Sequence, residues 1–245
     1  MVHILAPVKI ARVAGALYMV VVVLSIYALG AVGGVLEPGD AISTARNLAL
    51  EPAGFRLAVV ANLVAGICYI AVVGLLNELL KPVQPGISRL AVLFGVAGCI
   101  IGATTAALQL AAPAVLSGAG AASSAHAAHA LLATAGRAAG VGLTLFGCYC
   151  LLLGWLVFRS GFIPKVFGAL LMVSGSTWLV GNLVLLADPA LASKFLLVVG
   201  LAAVGEIIFT LWLLVKGVDE ARWQATARAR EYPVSNRPLA GSADI

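Results

Sequence analysis

The sequence has little charge. Of 245 residues, 10% are Asp, Glu, Lys or Arg, where a soluble domain carries about a quarter. Aromatic residues reach 7%, and the chain has three His, three Met and four Cys. So little polar surface does not cover a water-soluble body of this size. That excludes a cytosolic enzyme, a disordered chain, a secreted disulfide scaffold and a compact nucleic-acid-binding domain. Nucleophile elbow, Walker loop, H-E-x-x-H helix and dinucleotide fingerprint are all missing. What the chain has in their place is apolar length, with 62% of its residues hydrophobic.

A helix that spans a bilayer needs about 20 mostly apolar residues. Six segments meet that need, at about 11–35, 56–80, 88–112, 138–158, 164–187 and 195–216. The predicted class is therefore all-α, a polytopic transmembrane bundle of six spans. Gly and Pro stand where the helices should stop: Pro38-Gly39 after the first, Pro82 to Gly86 after the second, Gly161 and Pro164 before the fifth, Pro189 after it. Lys9 and Arg12 ahead of Val13–Leu36 resemble the start of a signal peptide. The apolar run exceeds a signal core of 7–15 residues, so the reading is an uncleaved first span.

Fifteen Lys and Arg oppose ten acids, a formal charge of +5. Placing the N-terminus inside puts eleven basic residues on the cytoplasmic side, from Lys9 and Arg12 to Arg230 and Arg237. Only Arg46, Arg56, Arg137 and Lys194 remain outside. That is the positive-inside bias of inner-membrane proteins, so the excess is assigned to topology and no nucleic-acid partner is expected. An even number of spans then leaves both termini in the cytoplasm.

Two outer regions exceed plain connections. Within 37–55, Ala41 to Leu50 has the look of a short surface helix. Within 113–137, Ser123-Ser124 can cap a helix that runs into span four. Continuous from Ser124 to Arg159, it would be about 54 Å long; the alternative is a break at Gly136 or Gly140. Residues 218–245 read as a polar, basic cytoplasmic tail with a disordered end. An inner-leaflet anchor at Arg222, Trp223, Arg228 and Arg230 is the less favoured reading.

Cys68, Cys99, Cys148 and Cys150 all lie in apolar runs and are expected to be inert. His126 and His129 stand at i, i+3, a spacing that can bind zinc, yet no third ligand is near in sequence. No metal site and no cofactor are expected. Small and polar residues recur at helical spacing in each span: Gly15, Tyr18 and Ser25; Asn62, Gly66 and Tyr69; Gly95, Gly98 and Gly102; Ser174, Thr177, Gly181 and Asn182. Most should serve helix packing, with Gly98 and Gly102 as a close-approach pair.

One acid lies deep in a span. Glu206 sits near the middle of the sixth, with Ala202, Ala203 and Thr210 on its face. A charged carboxylate there costs a few kcal/mol or more unless it is paired or neutralised, which makes it the candidate catalytic residue. The structural alternative is a Glu held by partners such as Arg137. By depth, Arg56, Asn62, Gln109, Arg137 and Asn182 fall in the outer third, so together with Glu206 they are the candidate ligand-binding residues of an outer polar cavity. Glu78, next to Lys81 at the inner end of span two, reads as a surface pair.

Phe55-Arg56-Leu57 leads into span two, which closes with Asn77-Glu78-Leu79-Leu80-Lys81-Pro82-Val83. Phe146-Gly147-Cys148-Tyr149-Cys150, Gly154-Trp155, Phe158-Arg159-Ser160-Gly161-Phe162-Ile163-Pro164-Lys165, Gly205-Glu206 and Leu211 to Gly217 follow in order. Together these stretches resemble the bacterial membrane proteins grouped as the domain of unknown function (DUF) 4386 family, over about residues 9–217. The resemblance implies a six-helix inner-membrane protein with no established activity. It implies that Glu78, Glu206 and the Arg159–Lys165 loop belong to the family pattern, without giving them roles. Relatives often have a His near Tyr149; this chain does not.

The functional expectation is a non-catalytic module of the bacterial inner membrane. Its partners are the lipid bilayer and a lipid-like, hydrophobic small molecule or another protein. The alternatives are an intramembrane enzyme acting on a lipid or terpenoid, with Glu206 as acid or base, and a small transporter. The topology is open to direct test. Cysteine placed at Ser43 or Ser123 should react with an impermeant maleimide in intact cells. Silence at both positions, with reaction at Ser235→Cys, would reverse the assignment.

Overall fold

The computed structural model describes residues 6–116, 121–188 and 192–231. They form eight helices: α1 (Pro7–Gly33), α2 (Ala41–Leu50), α3 (Pro52–Leu80), α4 (Pro85–Leu116), α5 (Ala121–Ser160), α6 (Lys165–Ala187), α7 (Ala192–Val215) and α8 (Glu220–Glu231). Five of these, α1, α3, α4, α5 and α6, are long and apolar enough to cross a membrane, the build of a multi-pass membrane protein. The helix α7 is 24 residues long, and its apolar stretch Ala203–Val215 continues the pattern. Arg237 and Ser235 lie outside the described residues, as do the side chains of Lys194 and Ala202.

Proline sets several helix starts. Pro7, Pro52 and Pro85 each open a helix, where a fixed φ is pre-set and the missing N–H is not needed. Gly161 (φ 74°) and Gly217 (φ 72°) turn the chain in the left-handed region just past α5 and α7. Asp40 caps α2, accepting from the N–H of Ile42 (3.0 Å) and Ser43 (2.9 Å). The Ser43 backbone N–H, with its hydroxyl next, holds the Asp40 carboxyl below the usual carboxylate range.

Six of the helices are arranged in chain order. Each of α1, α3, α4, α5, α6 and α7 packs on the next, and α7 returns to α1, so the six close into a ring. Without a hydrophobic drive between helices in lipid, close packing has to hold them. The tightest seam joins α5 to α6. A Cβ on Gly147 would meet the Leu179 nitrogen at 2.5 Å, and one on Gly168 the Phe158 nitrogen at 2.5 Å. Gly154 and Gly175 answer from the facing helix at 2.8 Å from the Gly168 oxygen and 2.6 Å from the Leu151 nitrogen. Four glycines at seven-residue intervals thus bring two backbones together. The expected Gly98–Gly102 pair contributes less. Gly98 approaches the Gly142 oxygen at 3.4 Å, while Gly102 has nothing within 4 Å. A glycine serves close approach only where the neighbour also presents backbone.

The helix α5 runs without a break through Gly136 and Gly140 for 40 residues, about 60 Å. That is twice the thickness of a hydrocarbon core. Its first half packs on α2 and on the facing ends of α3 and α4. There Val35, Leu48, Phe55, Val59, Ala106, Ala112, Ala128 and Leu132 form a second apolar cluster. His129 donates to the Glu37 carbonyl (3.2 Å) and His126 to that of Ala122 (2.8 Å).

At the opposite end, the segment read as a tail begins with α8, docked across the ring. Trp223 Nε1 donates to the Leu79 carbonyl (2.8 Å), Arg222 to that of Gly161 (3.3 Å) and Arg230 to that of Val83 (3.1 Å). Helix ends leave carbonyls without partners, and α8 supplies donors to them. Glu78 pairs with Lys81, and Asp219 with Arg222.

The glycine seam is testable. Gly168→Ala should cost about 1–3 kcal/mol through overpacking and lower the melting temperature in detergent. Gly30→Ala, with nothing within 4 Å of its Cβ, should leave the temperature unchanged. Equal melting temperatures for Gly168→Ala and the parent would sink the seam.

Candidate functional site

Five side chains from five helices meet at one level of the ring. Counted from the α8 end of its helix, Glu206 lies 9 residues in, Tyr18, Tyr69 and Tyr149 lie 11, and Trp178 lies 13. At 1.5 Å per residue that is a layer about 14–20 Å from that end.

Glu206 is the polar centre of this layer. It is 7% exposed. Its Oε2 accepts from the Tyr18 hydroxyl at 2.9 Å, and its Oε1 accepts from Trp178 Nε1 at 2.6 Å. The carboxylate therefore ties α1 and α6 to α7. Thr210 turns its hydroxyl back onto the Glu206 carbonyl at 2.8 Å.

Around this clasp runs a belt of rings. Tyr18 meets Tyr69 edge-on at 5.5 Å, and Tyr69 meets Tyr149 at 5.8 Å and Phe146 at 5.6 Å. Phe146 meets Trp178 at 5.9 Å. Edge-to-face pairs at these separations are favourable. From α4 comes Gly95, where a Cβ would lie 3.2 Å from Tyr149 Cδ2 and 2.9 Å from Val73 Cγ2. The missing side chain is what lets Tyr149 lie there. The hydroxyls of Tyr69 and Tyr149 are buried without a hydrogen-bond partner among the described residues.

The other candidate residues lie apart from Glu206. Arg56 and Arg137 are exposed; Asn62 and Gln109 are half-buried. Asn182 is buried and donates to the Trp178 carbonyl (2.8 Å), one turn away on its own helix. Among the described residues, none of Arg56, Asn62, Gln109, Arg137 or Asn182 bonds the Glu206 carboxylate, whose partners are aromatic. Sequence reasoning noted Tyr18 and Tyr69 as stripe residues and missed Trp178. The signal was present: Ser174, Trp178 and Asn182 recur at i, i+4 and i+8 on one face of α6.

Two cavities among the described residues stand out, and Glu206 lines neither of them. One, of about 10 Å³, lies toward the α8 end among Asn77, Ser88, Tyr149 and apolar neighbours. Ser88 there donates to Asn77 Oδ1 at 2.7 Å. The other is an open groove of about 370 Å³ on the outside of the ring, lined by Ala16, Met19, Val20, Val23 and Leu24 of α1 and Leu214 of α7. It starts where Gly15 lies against the Leu214 backbone.

The model of the family described as domain of unknown function (DUF4386) matches residues 13–217, and the chain belongs to that family. An uncharacterised protein of Archaeoglobus fulgidus is 34% identical over 79 residues, 31% of this chain; the match covers 44% of that relative's length. No solved structure matches the chain.

The clasp makes a sharp prediction. Glu206→Gln can still accept from Trp178 through its oxygen and donate to the Tyr18 hydroxyl through its amide, so thermal stability should hold. Glu206→Leu leaves both groups unpaired, and one unsatisfied buried partner costs about 1–3 kcal/mol. Melting curves in detergent should therefore drop for Leu and not for Gln. A drop of equal size in both would mean that the charge, not the hydrogen bonds, is what the fold uses.

Proposed function

With that membership as premise, we propose that the chain is a six-span protein of the bacterial inner membrane, with α7 as its sixth span and both termini in the cytoplasm. The α8 end is then the cytoplasmic end, and α2 with the first half of α5 lies outside. The eleven-to-four distribution of Lys and Arg supports this orientation. Within the bilayer the protein acts as a non-catalytic module that holds a lipid-like molecule. The observation that carries the reading is the α1–α7 groove. It is an open groove of about 370 Å³ along the outside of the ring. Its lining is aliphatic, and it opens toward the acyl chains.

Two features weigh against the other readings. Both oxygens of Glu206 are engaged by Tyr18 and Trp178, and an acid or base needs an oxygen within reach of its substrate. A transporter needs a path along the ring, and the level of Glu206 is filled by the side chains of Tyr18, Tyr69, Phe146, Tyr149 and Trp178.

Native mass spectrometry of the detergent-purified protein should find a retained hydrophobic small molecule. Val20→Trp with Val23→Trp, which fills the groove from residues facing lipid, should remove that mass and leave the melting temperature unchanged. Retention undiminished in the double variant would refute the groove as the site.

A further inference from the structure

The groove has a charged end. On α1, Lys9, Arg12, Ala16, Met19 and Val23 recur at spacings of three and four residues, so one stripe carries two cations and then the groove lining. Both Lys9 and Arg12 are exposed. Arg12 Nη2 reaches the Val215 carbonyl at 3.4 Å, the residue before exposed Lys216. Gly217 in turn packs on Val8, with a Cβ position 3.4 Å from the Val8 oxygen, so the end of α7 lies beside the start of α1. Lys9, Arg12 and Lys216 thus lie on adjoining helix ends at the start of the groove. Among the described residues none of the three is in an ion pair; of the acids that follow Lys216, Asp219 is held by Arg222 and Glu220 accepts from Gln224.

We propose that this is a site for an anionic phospholipid of the inner leaflet, with its phosphate among Lys9, Arg12 and Lys216 and an acyl chain along Ala16 to Leu24. The inference rests on the groove reading above and adds the headgroup chemistry. The lining from Ala16 to Leu24 covers about 12 Å of helix, enough to hold the first part of a chain that descends from the headgroup. Long basic side chains at a helix end lift their charge to the phosphate level while their stems stay in the apolar phase. A mono-anionic headgroup without a compensating ammonium gains from all three cations; a zwitterionic one carries its own positive charge and gains less.

The test is a competition in detergent. The purified full chain is offered equimolar phosphatidylglycerol and phosphatidylcholine with identical acyl chains, and bound lipid is read by native mass spectrometry. The parent should favour phosphatidylglycerol. Lys9→Gln, Arg12→Gln and Lys216→Gln together should erase the preference, a fall on the order of a hundredfold at about fivefold per charge, while phosphatidylcholine binding persists. Lys9→Arg, Arg12→Lys and Lys216→Arg together should keep the preference and control for folding. Excess inorganic phosphate should not displace the lipid; displacement would mean that the cations serve a soluble anion. An unchanged preference in the Gln variant overturns the headgroup assignment alone, provided that Val20→Trp with Val23→Trp loses both lipids. If the Trp variant keeps both lipids, the groove reading fails. A preference still lost in the Gln variant would then leave a basic headgroup contact without the groove.

Discussion

The ring depends on one acid and two donors. Glu206 takes a hydrogen bond from Tyr18 on α1 and another from Trp178 on α6, so a single carboxylate joins the three helices where the ring closes. Elsewhere neighbours in the ring are neighbours in sequence, and a short turn keeps α3 beside α4 and α5 beside α6. The contact between α1 and α7 has no such tether. It relies on Gly15 against the Leu214 backbone and on the polar clasp. In hydrocarbon, where helices gain nothing by hiding apolar surface from one another, such hydrogen bonds and close backbone contacts decide which helices meet. An aromatic belt around the clasp gives it a dry, filled surrounding, which keeps the carboxylate from water as well as from solutes.

Glycine does the complementary work. Along α5 and α6, residues 147, 154, 168 and 175 leave no side chain between the backbones. At Gly95 the gap is used differently, to admit the Tyr149 ring from a neighbouring helix. The same residue type thus sets both the spacing of the ring wall and the filling of its centre.

Much of the helix pattern was legible because the bilayer imposes it. Runs of about 25 apolar residues, ended by Pro and Gly, have few other uses, and long apolar helices stand where such runs occur, although α5 begins at Ala121, well ahead of the apolar run at 138–158. Glu206 was legible as the buried acid because a carboxylate deep in such a run has to be paired or neutralised. Its partners were not. Depth can be counted along one helix, but the angular position of Tyr18 or Trp178 relative to another helix depends on which helices touch. That is set by the glycine seam, whose members Gly168 and Gly175 look like ordinary small residues in a span. The docked α8 was hidden for a related reason: Glu220–Glu231 is polar, and what holds it is donation to carbonyls at loop and helix ends, for which hydrophobic patterning has no signature.

The closing contact has a consequence for how the protein is made. Tyr18 and Glu206 stand 188 residues apart, so α1 has left the ribosome and entered the bilayer long before its partner exists. Without α7 the other five ring helices form an open arc, with the Tyr18 hydroxyl and the Trp178 indole N–H facing an empty slot. A chain that stops before α7 keeps the seams between consecutive helices and an unfilled polar notch between its ends. Such an incomplete arc differs from the closed ring in its unpaired polar groups, which are costly to leave unsatisfied in lipid. Pairing these groups therefore falls to α7, which follows the other five ring helices along the chain.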